Sequence, residues 1–268
     1  MHPFIELLGV SISTYFLMSF ISVSAAFMAL LVRTRGSSLR HDAVNLFFCA
    51  LCGIFAGAWL LYALLNAPVM ISNWSDIREN FSLYDSIEIA FGMLGGAVFY
   101  GGVFGGMGAM FIYSKVFSVP LSPYLDLLAP IAPIAHGIGR VGCFLSGCCY
   151  GVPVSPDHPL AVTYPQASLA APAGVSLLAV PLIEAVTNLL ISFGLFLYSR
   201  HCVHKRPGAV AILYLLTYAL TRFIIEFYRG DAIRGFFLSW STSQWISIAI
   251  IICSAALLLY RQRGERAA

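Results

Sequence analysis

The stretch HGIGRVGCFLSGCCYG, from His136 to Gly151, places an arginine, Arg140, inside a segment that is otherwise apolar. A second arginine, Arg222, lies inside YLLTYALTRFIIEFYRGD, four residues before Glu226. A guanidinium at the centre of a bilayer costs roughly 2.5–3.5 kcal/mol on insertion scales. A membrane chain that carries two has therefore set them around a counter-charge or a polar ligand. Arginine stays protonated and presents a planar fork of donors that matches phosphate oxygens two at a time. The ligand this pattern predicts is an anionic phospholipid head group. Arg222 and Glu226, at i and i+4, share a helix face and can also pair with each other. Arg140 has no carboxylate within a turn of its own segment, so it requires a partner from another helix or from a ligand.

Other reactive side chains are less specific. Tyr100 lies in GGAVFYGGVFGG. It reads either as a wedge between glycine-packed helices or as a phenol that binds or activates a substrate. His136, one turn before Arg140, reads as a hydrogen-bonded packing residue or as a further member of the site. Cys143, Cys148 and Cys149 have the spacing C-x4-C-C, which matches none of the usual zinc-ligand patterns. No metal is expected there. The three read as small packing residues, with a disulfide from Cys148 or Cys149 as the alternative.

The elements that must position these residues follow from composition. The chain has 268 residues, of which 59% are hydrophobic and 10% charged, and a mean hydropathy of +0.85. Soluble domains carry about 25% charged residues, so this is an integral membrane protein. The long unalternating apolar runs make it all-α, because a membrane barrel would show alternating segments of about ten residues. One domain, residues 1–268, accounts for the whole chain. The N-terminal MHPFIELLG lacks a basic region ahead of an apolar one, so no cleavable signal peptide is expected. The seven cysteines, an odd number scattered over apolar segments, do not form a disulfide framework. No nucleic-acid partner and no cofactor are expected.

Seven transmembrane helices are expected, at about 9–32, 44–66, 88–113, 124–145, 178–199, 208–227 and 243–260. The third is glycine-rich, and the fourth is interrupted by Pro130 and Pro133, which a membrane helix tolerates where neighbours satisfy the freed backbone. Arg33, Arg35 and Arg40, then Lys115, then Arg200, Lys205 and Arg206, then Arg261, Arg263 and Arg266 all fall on one side. The opposite side holds only Arg78, Arg229 and Arg234. The positive-inside rule then puts the N-terminus outside and the C-terminus in the cytoplasm. On this topology Arg140, Glu184, Arg222, Glu226 and Tyr100 reach similar depth in the extracytoplasmic half, and together they describe one site.

Five segments in order, GGAVFYGGVFGG, DLLAPIAPIAHGIGRVGCFLSGCCYG, PLIEAVTNLL, YALTRFIIEFYRGD and QWISI, give the chain a resemblance to the bacterial prolipoprotein diacylglyceryl transferases over roughly residues 10–260. The resemblance implies seven transmembrane helices with the N-terminus outside, in the bacterial inner membrane, and a site facing the extracytoplasmic side. It implies transfer of a diacylglyceryl group from phosphatidylglycerol to the lipobox cysteine thiol of a prolipoprotein signal peptide, the first step of lipoprotein maturation. Arg140 matches the arginine of the family's GRxGNF segment, Arg222 and Glu226 match the arginine and glutamate of its last motif, and Gly151 matches the glycine that closes the signature. Tyr15, early in the first span, matches a tyrosine there. By resemblance Arg140 and Arg222 bind the phosphate, and Glu226 orients Arg222 or tunes the site.

The chain departs from the family in four places. Tyr100 stands where histidine is frequent, Cys143 where asparagine follows GRxG, Ser146-Gly147-Cys148 where the family has N-x-E, and Trp59 where it has an arginine. A phenol with its usual pKa near 10 is a poor base at neutral pH, which leaves proton transfer unassigned. Two readings stand beside the transferase: a diverged paralogue that moves the same lipid group to another acceptor, and a non-catalytic phospholipid-binding protein. The lack of an internal repeat argues against a transporter.

Overall fold

A computed structural model describes residues 3–7, 10–72, 99–202, 207–231 and 236–267. These residues form eight α-helices: α1 (Thr14–Arg33), α2 (Arg40–Ser72), α3 (Phe99–Val116), α4 (Leu121–Leu128), α5 (Ala132–Ser146), α6 (Val180–Cys202), α7 (Ala209–Ile225) and α8 (Thr242–Ala267). A 3-10 turn, Glu226–Tyr228, continues α7. Among the described residues, five segments are long and apolar enough to cross a membrane: Thr14–Arg33, Arg40–Ala67, Val180–Arg200, Ala209–Tyr228 and Thr242–Tyr260. The pair α4 and α5, bent by 41°, makes a sixth if it counts as one span. The expected spans one, two, five, six and seven thus coincide with helices, and the fourth is the bent pair. Part of the third, expected at 88–113, lies outside the described residues, and its described part is α3.

The chain divides into two compact units, residues 34–124 and residues 1–33 with 125–268. In the first, α2 and α3 pack through glycines four apart. A Cβ on Gly53 or Gly57 would collide with the carbonyl of Gly105 or Gly101, and one on Gly101 or Gly105 with that of Gly57 or Gly53. Small residues at this spacing let two backbones touch, which is how membrane helices gain packing without a hydrophobic driving force. At the start of α2, Asp42 accepts hydrogen bonds from the hydroxyls of Tyr113 (2.9 Å) and Tyr124 (3.2 Å).

In the second unit, α1 buries Thr14, Ser22, Ala26 and Leu30 along one stripe. The first helix begins at Thr14 rather than at residue 9, because Val10–Ser13 pairs antiparallel with Phe4–Leu7. The segment VSIS alternates apolar and polar, which is strand periodicity, and it belongs to a hairpin rather than to the helix.

The expected break in the fourth span falls at Ala129–Ile131, between α4 and α5. Pro133 sits in the first turn of α5, where a missing N–H costs nothing. The freed carbonyl of Pro130 accepts a hydrogen bond from the buried Ser192 hydroxyl of α6 at 2.6 Å. Asp126, fully buried on α4, accepts the backbone N–H groups of Gly208 and of Ala211 (2.9 Å), and so caps the otherwise unsatisfied start of α7.

The all-α expectation holds for the spans. Among the described residues the connections add three two-stranded antiparallel sheets: β1 (Phe4–Leu7) with β2 (Val10–Ser13), β3 (Ala161–Thr163) with β4 (Ser176–Leu178), and β5 (Phe236–Phe237) with β6 (Trp240–Ser241). The long connection after α5 folds around β3 and β4. It carries its own small core of Tyr164, Ala171 and Leu177.

Candidate active site

α5 presents His136 and Arg140 one turn apart on one face. It ends at Gly147, which takes a left-handed conformation (φ 70°) and closes the helix with the Cys148 N–H donating to the Cys143 carbonyl at 3.0 Å. α6 supplies Glu184, one turn from its start, and α7 with its 3-10 extension supplies Arg222 and Glu226. These four charged side chains meet. The Glu184 carboxylate lies between the two guanidinium groups: Oε1 pairs with Arg222 Nη1, and Oε2 lies 2.8 Å from Arg140 Nε. Arg222 Nη2 lies 2.7 Å from Glu226 Oε2 and reaches the Ser243 hydroxyl of α8 at 3.4 Å. Glu184 and Glu226 are buried, and the arginines keep a small exposed edge, 15% of the side chain for Arg140 and 13% for Arg222.

The cluster is balanced, two guanidinium groups against two carboxylates, and this lowers the cost of placing charge among apolar helices. Arg140 donates its Nε–H to His136 Nε2 at 3.0 Å. The short approach of Nε to Glu184 is therefore a charge contact rather than an in-line hydrogen bond. Accepting that proton requires His136 to be neutral and to carry its hydrogen on Nδ1. The His136 ring is also packed on Tyr218, with centroids 5.4 Å apart. The hydrogen bond and the ion pair of Arg140 both run through Nε.

Gly151 lies at a backbone crossing. Its N–H donates to the Leu178 carbonyl at 3.1 Å, it bridges Arg229, and the Gly230 N–H donates to the Tyr150 carbonyl at 3.0 Å. A Cβ on Gly151 would collide with Leu178, and one on Gly230 with the Gly151 carbonyl. The glycine thereby ties the end of α5 to the segment that follows Glu226. Arg229 beside it makes a two-point contact with Asp231, at 3.0 and 2.5 Å. Burial works to lower the pKa of Arg229, but Asp231 outweighs it and holds that group above the ordinary arginine value.

Of the residues expected in the site, Arg140, Arg222, Glu226 and Glu184 are brought together. Cys143 is buried one turn beyond Arg140 on α5. Tyr15 is half-exposed in the first turn of α1, and a Cβ on Gly142 would come within 3.6 Å of its ring. The backbone of Tyr100 lies in the first turn of α3, and its side chain lies outside the described residues. Two features were missed from sequence. One is that a single carboxylate serves both arginines. The other is Ser243, for which an isolated serine at the start of an apolar helix gives no signal.

The chain matches the prolipoprotein diacylglyceryl transferase family model over residues 3–260. It is 33% identical over 248 residues to the phosphatidylglycerol–prolipoprotein diacylglyceryl transferase of Clostridium tetani, covering 92% of this chain and 92% of that one. It is 31% identical over 257 residues to transferase 2 of the same name from Clostridium perfringens, covering 95% and 92%. The Gluconobacter oxydans protein of that name is 32% identical over 218 residues, covering 81% of this chain and 75% of its own. With almost the whole chain matched, arginine-bearing helices included, the protein belongs to the prolipoprotein diacylglyceryl transferase family.

Proposed function

We propose that this protein transfers the diacylglyceryl group of phosphatidylglycerol to the lipobox cysteine thiol of a prolipoprotein signal peptide. The thiol gives up its proton to solvent, the sulfur forms a bond to the glyceryl carbon, the carbon–oxygen bond to phosphate breaks, and glycerol phosphate leaves as an anion. The observation that carries the reading is the shape of the charge cluster. Arg222 is held on both terminal nitrogens by Glu184 and Glu226, whereas the ion pair and the hydrogen bond of Arg140 run through Nε. Arg140 is thus the group that receives the phosphate, with two terminal donors for two oxygens. Arg222 supplies fixed positive charge beside it, and Glu226 holds Arg222 in place. Charge that develops on the leaving phosphate meets preorganised donors in a low-dielectric setting, where they act most strongly. Tyr15 on α1 and Cys143 on α5 flank the substrate, Gly151 holds the shape of the far end of α5, and Tyr100 is the phenol that binds or activates substrate.

The chain works as one domain with seven spans, the N-terminus outside and the C-terminus in the cytoplasm, in the bacterial inner membrane. The site faces the extracytoplasmic side. The basic loops on one side support this orientation. Purified protein incubated with phosphatidylglycerol and a lipobox peptide tests the reading. The expected result is a peptide heavier by one diacylglyceryl group, with the gain absent in Arg140→Ala. Intact lipid and unmodified peptide, with a family member from another source active in the same assay, would overturn it.

A further inference from the structure

Apart from the arginine cluster, a second group of reactive side chains lies at the end of α5. The sulfurs of Cys143, Cys148 and Cys149 all lie within 4.8 Å of one another. Their linear spacing matches no common ligand pattern, and it is the backbone that gathers them. Gly147 turns the chain out of the helix at φ 70°, the Cys148 N–H returns to the Cys143 carbonyl, and Cys149 adopts a left-handed φ of 56°. A non-glycine residue held there is uncommon and is stabilised by its surroundings. Here the loop after it is tied down, with the N–H groups of Ala170 and Ala171 both donating to the Gly147 carbonyl at 3.1 and 2.9 Å. All three cysteines are free thiols, Cys143 buried and the other two half-buried.

We propose that Cys143, Cys148 and Cys149 form a three-sulfur site for one thiophilic closed-shell metal cation, Zn2+ or Cu+. Thiolates that share an ion at a metal–sulfur length of about 2.3 Å stand roughly 4 Å apart, a spacing the cluster reaches with small side-chain adjustments. Soft sulfur ligands select these ions over magnesium or calcium. Each thiol that is still protonated gives up its proton to solvent as the ion binds. Arg140 and Arg229 act electrostatically on Cys149, and positive charge favours thiolate ligands. The same two arginines offset the net negative charge of the filled site. Metal uptake does not depend on transferase activity, although Cys143 also borders the proposed substrate site.

The test uses the full-length protein in detergent, reduced and stripped with a chelator. Zn2+ is titrated against a chromophoric competitor, and Cu+ in a parallel anaerobic titration, with metal per chain counted by mass spectrometry. One ion per chain is expected for at least one of the two metals. It should shield Cys143, Cys148 and Cys149 from alkylation while leaving Cys49, Cys52 and Cys253 as reactive as before. This readout needs no variant. In Cys148→Ser and Cys149→Ser, checked for monodispersity, affinity should fall at least about 100-fold, and Cys49→Ser should match the parent. Failure to bind either ion, or binding that survives both substitutions, overturns the proposal. So does recovery, from membranes broken without reductant, of a disulfide within the trio together with no metal uptake after reduction.

Discussion

Replacing Arg140 by lysine and by alanine separates charge from geometry at the proposed phosphate site. In the parent, Nε faces His136 and Glu184, and the proposed role gives the two terminal nitrogens to phosphate. Lysine keeps the charge but has one ammonium for both tasks, so it loses at least one charge-assisted hydrogen bond to phosphate, worth about 1.5–3 kcal/mol. That corresponds to a fall of about 10- to 150-fold in kcat/KM. Alanine loses both bonds, and about 10²- to 10⁴-fold is expected. Neither change strands Glu184, which keeps Arg222, so both variants should purify as folded protein. The assay follows the mass of a lipobox peptide at several phosphatidylglycerol concentrations in mixed micelles, with monodispersity checked in parallel. The reasoning is refuted if lysine supports activity within about 3-fold of arginine, since the fork would then contribute nothing, or if lysine and alanine are equally impaired although both are folded.

Other substitutions probe the supports of the site. Glu184→Gln removes the carboxylate shared by two guanidinium groups; unpairing a buried charge costs about 3–5 kcal/mol, and a marked drop in thermal unfolding midpoint is expected, smaller in Glu184→Asp. Gly105→Leu puts a side chain into the Gly53 backbone. It should abolish a monodisperse product on size-exclusion chromatography, whereas Gly108→Ala, whose Cβ meets nothing within 4 Å, should be neutral. Tyr164 is fully buried, and burial, helped by the neighbouring cysteines, pushes its phenol pKa up to about 12. Its folded pKa lies above the unfolded value near 10, so the folded state keeps a proton that the unfolded chain releases. Stability should therefore be unaffected below pH 10 and fall as pH rises toward 12. Tyr164→Phe should flatten that part of a denaturation-versus-pH curve.

Hydropathy located the spans because lipid exposure imposes long apolar runs, and Pro130 and Pro133 marked the bend because their rings exclude a regular ladder. The glycines of α3 were legible as close packing, but not their partners Gly53 and Gly57 on α2. Less was visible wherever structure depends on backbone pairing between distant segments. The hairpin of Val10–Ser13 was absorbed into the first span because its isoleucine and valine raise hydropathy as a helix would. The sheet at Ala161–Thr163 and Ser176–Leu178 has strands of three residues each, too short for any periodicity. Within the site, depth arguments placed Arg140, Glu184, Arg222 and Glu226 at one level. Which carboxylate serves which arginine depends on the rotation of α5, α6 and α7 about their axes, and nothing in a linear pattern reports that. The thiol cluster was hidden for a related reason: a reversal at Gly147 and Cys149, not the spacing, brings its members together.

The Glu184 bridge also sets a timetable for entry into the membrane. Arg140 leaves the ribosome first, and at ~5–20 residues per second the roughly 44 residues that separate it from Glu184 take ~2–9 s to follow. During that interval α5 carries an unmatched positive charge, which costs roughly 2.5–3.5 kcal/mol at the bilayer centre on insertion scales. α6 brings the counter-charge, and the two helices can then partition as a neutral hairpin, its turn fastened by the loop that folds on Gly147. α7 arrives with Arg222 and Glu226 already paired along one face, so it adds no net charge to what it joins. Assembly in this order is neutral from α6 onward, and an insertion defect in α6 would leave Arg140 of α5 without its carboxylate even with the sequence of α5 intact.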